Sequence, residues 1–178
     1  PVIVVRALRS RNISVCAAMS KSGKLFNFVG HRTFSTDLFG IFLDRFFVFL
    51  SSNNISSCIF IMDNVAFHRS STTRDKIIHA NHQVRYLPPY SPMFNPIENL
   101  FSKWKQLVKS SNPTTEAILI SSLSDSFDQI TANDCSGYYR NILQEINSIA
   151  LNTQVQRIVE NQSAELPLTE SLITERQT

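Results

Sequence analysis

Cys58-Ile59-Phe60-Ile61-Met62-Asp63-Asn64 is the stretch on which the fold turns. Five apolar residues, rich in β-branched and aromatic side chains, are too few for a helix and suit a buried strand. A strand that ends on Asp63 brings a carboxylate to the carboxyl edge of a sheet, where open α/β sheets hold their ligands. Asp63-Asn64 also suits an ordinary turn, because both side chains can hydrogen-bond nearby backbone. His68, five residues on, could orient Asp63, meet a phosphate or simply pack.

Upstream, Ile13 to Met19 and Lys24 to Val29 read as two strands joined by Ser20-Lys21-Ser22-Gly23, a hairpin turn. Ser35 or Thr36 can cap a helix reaching about Leu50, with Phe39, Phe42, Phe46 and Phe49 along one face. Downstream come a helix from Arg69 to Asn81, a strand from Gln83 to Leu87 and a helix from Pro96 to about Lys109. Two more helices cover roughly Thr114 to Ile130 and Asn133 to Ala150. The order β-β-α-β-α-β-α predicts an α/β fold with a mixed sheet flanked by helices. Residues 1–150 form the domain in this reading. Residues 151–178 lose aromatics and read as a loosely ordered polar tail.

Glu98 is the second carboxylate of interest, with thirty-four residues between it and Asp63. Asn95-Pro96-Ile97-Glu98 places Asn at a helix N-cap, Pro at the first helical position and Glu at the third, the pattern of a capping box. Glu98 therefore has a purely structural reading as well as a metal-binding one. Helical spacing puts Ile97, Phe101, Trp104 and Val108 on one apolar stripe. Glu98, Ser102, Lys105 and Lys109 fall on the adjacent one, so this carboxylate shares a face with two lysines suited to phosphates. The connection Leu87-Pro88-Pro89-Tyr90-Ser91-Pro92 is stiff, since each proline fixes its own φ and restricts its predecessor. A stiff connection sets where Glu98 arrives relative to Asp63.

The 178 residues, 43% hydrophobic and 10% aromatic, describe an ordinary globular chain with a Phe-rich core, having thirteen Phe and one Trp. Charge is unevenly spread around a net +3. Residues 1–109 hold fourteen Lys and Arg against five Asp and Glu, and residues 110–178 hold three against nine. A basic half favours a polyanionic partner. Cys16, Cys58 and Cys135 lack metal-type spacing and read as core residues of a reducing compartment. Leu38 to Leu50, the most apolar segment, is too short to span a bilayer and contains Asp44-Arg45. No signal peptide and no Gly-rich phosphate loop is visible. Together these features predict a soluble intracellular protein.

Taken together, Asp63-Asn64 with His68, Leu87-Pro88-Pro89-Tyr90-Ser91-Pro92, Asn95-Pro96-Ile97-Glu98, Trp104 and Lys105 resemble the catalytic core of mariner-type DDE transposases. These are cut-and-paste DNA transposases with a ribonuclease-H-like fold. The interval from Asp63 to Glu98 is similar to the form whose triad ends in glutamate. Arg11 to Gly23 and Asp134-Cys135-Ser136-Gly137-Tyr138-Tyr139 also look like that family, so the resemblance covers roughly residues 6–145. It implies two Mg²⁺ (or Mn²⁺) ions held by three carboxylates, with Asp63 and Glu98 as the second and third. Asn64, His68 and Asn95 would support them. Lys105, Lys109, Arg9 and Arg11 would hold DNA, as transposon ends and target. The resemblance also implies a homodimer, no membrane, and a nuclear location in a eukaryote or a cytoplasmic one otherwise.

One departure matters. The family's first catalytic aspartate lies on the first strand, upstream of the segment resembling Arg11 to Val15, and no acidic residue precedes Asp37. Asp37 and Asp44 belong to the Phe-rich helix and cannot replace it by position. The expectation is thus a ribonuclease-H-like mixed sheet missing its first strand, one catalytic carboxylate and the amino-terminal DNA-binding region. Such a fragment is not expected to cut DNA by itself. The alternative is a domesticated or decayed domain that binds nucleic acid without catalysis.

Overall fold

Alternation along the strand Ser14–Ser20 organises the core. Cys16 and Ala18 are buried against one layer of helices, while Val15, Ala17 and Met19 are buried against another, the period of two that a strand requires. The structure, a computed structural model, describes the backbone of residues 2–9 and 13–164 and the side chains of residues 13–154, 156 and 157. Five strands form one mixed sheet: β1 (Val2–Arg9), β2 (Ser14–Ser20), β3 (Gly23–Gly30), β4 (Ile59–Met62) and β5 (Gln83–Tyr86). Their order is β3-β2-β1-β4-β5. β1 runs antiparallel to β2 and parallel to β4, and β4 runs parallel to β5. Gly23, at a φ of 146°, closes the β2–β3 hairpin in a conformation that side chains resist.

The expected absence of a first strand is corrected here: β1 takes the central place. Val2-Ile3-Val4-Val5 is an unbroken β-branched run, as fits a strand bonded along both edges. It contains no Asp or Glu.

Helices cover both faces. On one side lie α1 (Thr36–Ser52), α2 (Ala66–Arg69) and α3 (Ser71–His79). Ser35 caps α1, its hydroxyl accepting from the Leu38 N–H at 3.3 Å. Phe39, Phe42 and Phe46 of that helix are fully buried, and Phe46 meets Phe60 of β4 edge-on at 5.7 Å. The single helix expected from Arg69 to Asn81 is two. Ser70 ends the first in extended backbone and caps the second, accepting from the Thr73 N–H at 3.2 Å.

On the other side lie α4 (Ile97–Ser110), α5 (Glu116–Asp128) and the start of α6 (Ala132–Ala164). Ile97, Phe101 and Trp104 bury the apolar stripe of α4 against Ala17 and Met19. The chain divides into two units, residues 1–142 and 143–178. Residues 151–164 continue α6, so they are helical where a loose tail was expected; no Pro or Gly interrupts them. Residues 165–178 lie outside the described residues. No helix among the described residues is long and apolar enough to cross a membrane.

The first turn of α6 carries its own pH dependence. The Thr131 N–H donates to Asp134 Oδ2 at 2.9 Å and the Asp134 N–H donates to Thr131 Oγ1 at 3.1 Å, a reciprocal cap. Lys103 of α4 pairs with the same carboxylate at 2.6 Å. The Lys103 hydrogen bond, helped by the Thr131 N–H, lowers this carboxyl from 3.8 to about 2. A depressed folded value stabilises fully above the unfolded value and is lost as pH falls toward 2. Asp134→Asn is therefore expected to cost on the order of 1–2 kcal/mol in urea melts at pH 7, and almost nothing at pH 2.

Candidate functional site

Asp63 leaves the end of β4 with a carboxylate whose side chain is 31% exposed. Its Oδ1 accepts a hydrogen bond at 2.7 Å from His68 Nδ1, which must carry the hydrogen because a carboxylate only accepts. His68 is fully buried, held between Phe39 and Phe67 with ring centroids at 4.6 and 4.5 Å. The Tyr86 hydroxyl donates to the His68 carbonyl at 2.9 Å. Packing and hydrogen bonds thus fix the imidazole, and the imidazole fixes Asp63. Tyr86 escaped the sequence reading; its position at the end of the strand beside β4 was the available signal.

The loop to α4 starts next to this carboxylate. The Leu87 N–H donates to the Met62 carbonyl at 2.9 Å, and Asn64 Nδ2 donates to the Leu87 carbonyl. A 3-10 turn at Pro92–Phe94 then leads into α4, whose first turn carries Glu98. Ile61, two residues before Asp63, packs into the same cluster as Ile97, the neighbour of Glu98. Asp63 thus follows the end of β4, and Glu98 stands in the first turn of the helix packed on the face that holds Ile61.

Asn95 is corrected as a cap. Pro96 takes the N-cap position, and the Asn95 side chain makes no cap hydrogen bond. Its Oδ1 and Nδ2 are buried without a hydrogen-bond partner. The Asn95 carbonyl instead accepts from the Glu98 N–H at 3.1 Å, so backbone turns this helix start.

Glu98, Phe101, Ser102, Lys105, Gln106 and Lys109 line a groove of about 330 Å³ along α4. Lys105 and Lys109 are exposed there. Other cations of the basic half are spent within the fold: Lys24, Lys76 and Lys103 pair with Asp128, Asp44 and Asp134 at 3.1, 2.8 and 2.6 Å. Arg9 ends β1 by its backbone, while its side chain and all of Arg11 lie outside the described residues. The three cysteines are buried and free, and burial raises the Cys58 and Cys135 thiols to about 11, so they serve the core.

Two carboxylates offer the hard oxygen donors that Mg²⁺ or Mn²⁺ requires. Among the described residues no group of three or more His, Cys, Asp or Glu gathers at one point. The donor chemistry of Asp63 and Glu98 suits such a cation.

Residues 2–118 match the family model of DDE superfamily endonucleases. No curated protein matches the chain. The Mos1 transposase catalytic domain solved with raltegravir and Mn is 17% identical, with a TM-score of 0.67 over 80% of this chain and 76% of that one. The catalytic domain of Mos1 mariner transposase gives 17% identity and a TM-score of 0.65 over 80% and 76%. The Mos1 mariner paired-end complex with Mn gives 15% and 0.66 over 80% and 52%, so the chain spans about half the length of the protein in that complex. At such identities the likeness is one of fold, and the fold is ribonuclease-H-like.

Proposed function

Because this chain belongs to the DDE superfamily endonuclease family, we propose that it is part of a DNA transposase catalytic domain in which Asp63 and Glu98 hold divalent metal. The observation that carries this reading is the buried His68 locking Asp63 at 2.7 Å, beside the loop that delivers Glu98. Carboxylates that ligate metals are themselves held by outer hydrogen bonds, which fix their orientation. Mg²⁺ or Mn²⁺, two ions in the intact arrangement, would supply charge neutralisation and activation of a hydroxyl or water toward a phosphodiester.

The residues of this chain do the rest. Asp63 and Glu98 fix the cation positions. The proline-rich loop holds the two carboxylates in register without a flexible hinge. Lys105 and Lys109 meet the phosphates of DNA running along α4, and the substrates are transposon ends and target DNA. Pairing of two copies on two DNA ends, and a nuclear location in a eukaryote, complete the reading.

A binding experiment tests the DNA face. Replacing both Lys105 and Lys109 with Gln is expected to weaken binding uniformly across sequences and to reduce the slope of log K against log salt by about 2. An unchanged slope removes α4 from the interface.

Cleavage is tested separately. The 178-residue chain is expected not to nick end-containing DNA in Mg²⁺ or Mn²⁺, since β1 contributes no carboxylate. Robust nicking abolished by Glu98→Ala would refute that expectation. Metal-independent binding that survives Asp63→Asn, without any Mn²⁺ site, would instead favour a domain that binds nucleic acid and does no chemistry.

A further inference from the structure

β5 closes one edge of the sheet, and the outer side of that edge is basic. The Gln83 and Leu87 N–H groups donate inward, to the Cys58 and Met62 carbonyls, at 2.9 Å each. Backbone bonding alternates sides along a parallel strand, so Val84 and Tyr86 present their groups outward. Side chains alternate as well. Val84 and Tyr86 pack into the cluster of Phe39 and Phe60, which leaves Arg85 on the other face. Arg74 and Ile78 of α3, with Gln83, Arg85 and Tyr86 of β5, line a groove of about 450 Å³ along this edge. Arg69 ends α2, and its charge, like that of Arg74, lowers a Tyr86 pKa that burial raises. All three arginines are exposed, and none forms an ion pair among the described residues. Like charges gathered without a carboxylate raise the local potential and draw a polyanion.

We propose that Arg69, Arg74 and Arg85 form a second phosphate track, which holds a DNA backbone along the β5 edge, apart from the lysines of α4. The inference rests on the reading of this chain as part of a DNA-acting domain. One contact favours phosphates over an added peptide strand. Arg85 Nη1 donates to the Val84 carbonyl at 3.0 Å, occupying the outward acceptor that a docking strand would need. The remaining guanidinium donors stay available, and their planar forks match phosphate oxygens. The track also adjoins the candidate site. The Tyr86 hydroxyl reaches the His68 carbonyl at 2.9 Å, and His68 holds Asp63 at 2.7 Å.

The test uses the full 178-residue chain and a fluorescein-labelled DNA duplex, with anisotropy read across a salt series. Arg74→Gln with Arg85→Gln is expected to reduce the slope of log K against log salt by about 2, and added Arg69→Gln by about 1 more. Arg74→Lys with Arg85→Lys keeps the charge and is expected to keep most of the slope. Lys21 and Arg32, both exposed, flank β3 at the opposite edge of the sheet. Lys21→Gln with Arg32→Gln removes the same charge there and is expected to leave the slope unchanged. Equal slopes in the two Gln pairs reduce the effect to net charge and overturn the track. A slope that responds to Lys105→Gln with Lys109→Gln but ignores the arginines overturns the track and leaves the DNA reading standing. No DNA binding by the parent at low salt overturns both. Binding of poly-glutamate that is lost with Arg74 and Arg85, at an unchanged DNA slope, assigns the groove to an acidic peptide and overturns the proposal.

Discussion

Trp104→Ala is expected to lower the unfolding free energy by about 3–5 kcal/mol. Trp104 is 1% exposed and packs against Phe101 and Phe127 at centroid distances of 5.7 and 4.8 Å. Its Nε1–H donates to the Leu123 carbonyl at 2.9 Å, which ties α4 to α5. Truncation leaves a large cavity between the two helices and removes the Nε1–H bond to the Leu123 carbonyl. A domain of this size has roughly 5–15 kcal/mol of stability in all, so the variant should unfold at a far lower urea concentration. Circular dichroism is the suitable probe, since the chain has one Trp. Trp104→Phe separates the two contributions. It keeps most of the packing and is expected to cost about 0.5–1.5 kcal/mol, chiefly for the lost Nε1–H bond to Leu123. Equal midpoints for the parent and the Ala variant would mean that the face joining α4 to α5 contributes nothing.

His68 gives the second large effect, and it reads on stability and site together. His68→Ala removes a fully buried ring between Phe39 and Phe67 along with the hydrogen bond to Asp63. The expected cost is about 3 kcal/mol, from the cavity and the lost charge-assisted bond. His68→Phe fills the cavity but removes the imidazole hydrogen bond to Asp63. It should restore much of the stability while lowering Mn²⁺ affinity about 10–100-fold, measured by Mn²⁺ titration of the full chain. A Phe variant that recovers stability and keeps full Mn²⁺ affinity would reduce His68 to a packing residue.

What could be read from the residues, and what could not, divides along physical lines. The strand ending at Asp63 and the stripe of Ile97, Phe101, Trp104 and Val108 were legible because local periodicity states them directly. The fivefold spacing from Asp63 to His68 named the right pair, but the locking depends on Phe39, which arrives from another helix. β1 was missed although Val2 to Val5 is a strong strand signal. Its place is set by pairing with β4 across some fifty residues, and no local pattern reports that. Ser70 was read through as helix interior, whereas its hydroxyl caps Thr73 and breaks the helix in two. Asn95 fitted the capping pattern, yet proline took the cap and left its amide buried. The basic half suggested a polyanion, but Lys24, Lys76 and Lys103 turn out to serve internal ion pairs.

The central place of β1 also has a consequence for biosynthesis. Its parallel neighbour β4 begins at Ile59, so at about 5–20 residues per second the ribosome needs roughly 3–10 s after Arg9 to supply it. Through that interval the nascent meander of β1, β2 and β3 exposes one bare flank of unpaired backbone N–H and C=O groups, a template for misassembly. A holding chaperone that shields this flank until Met62 emerges should raise the yield of folded chain more than any change at the finished surface.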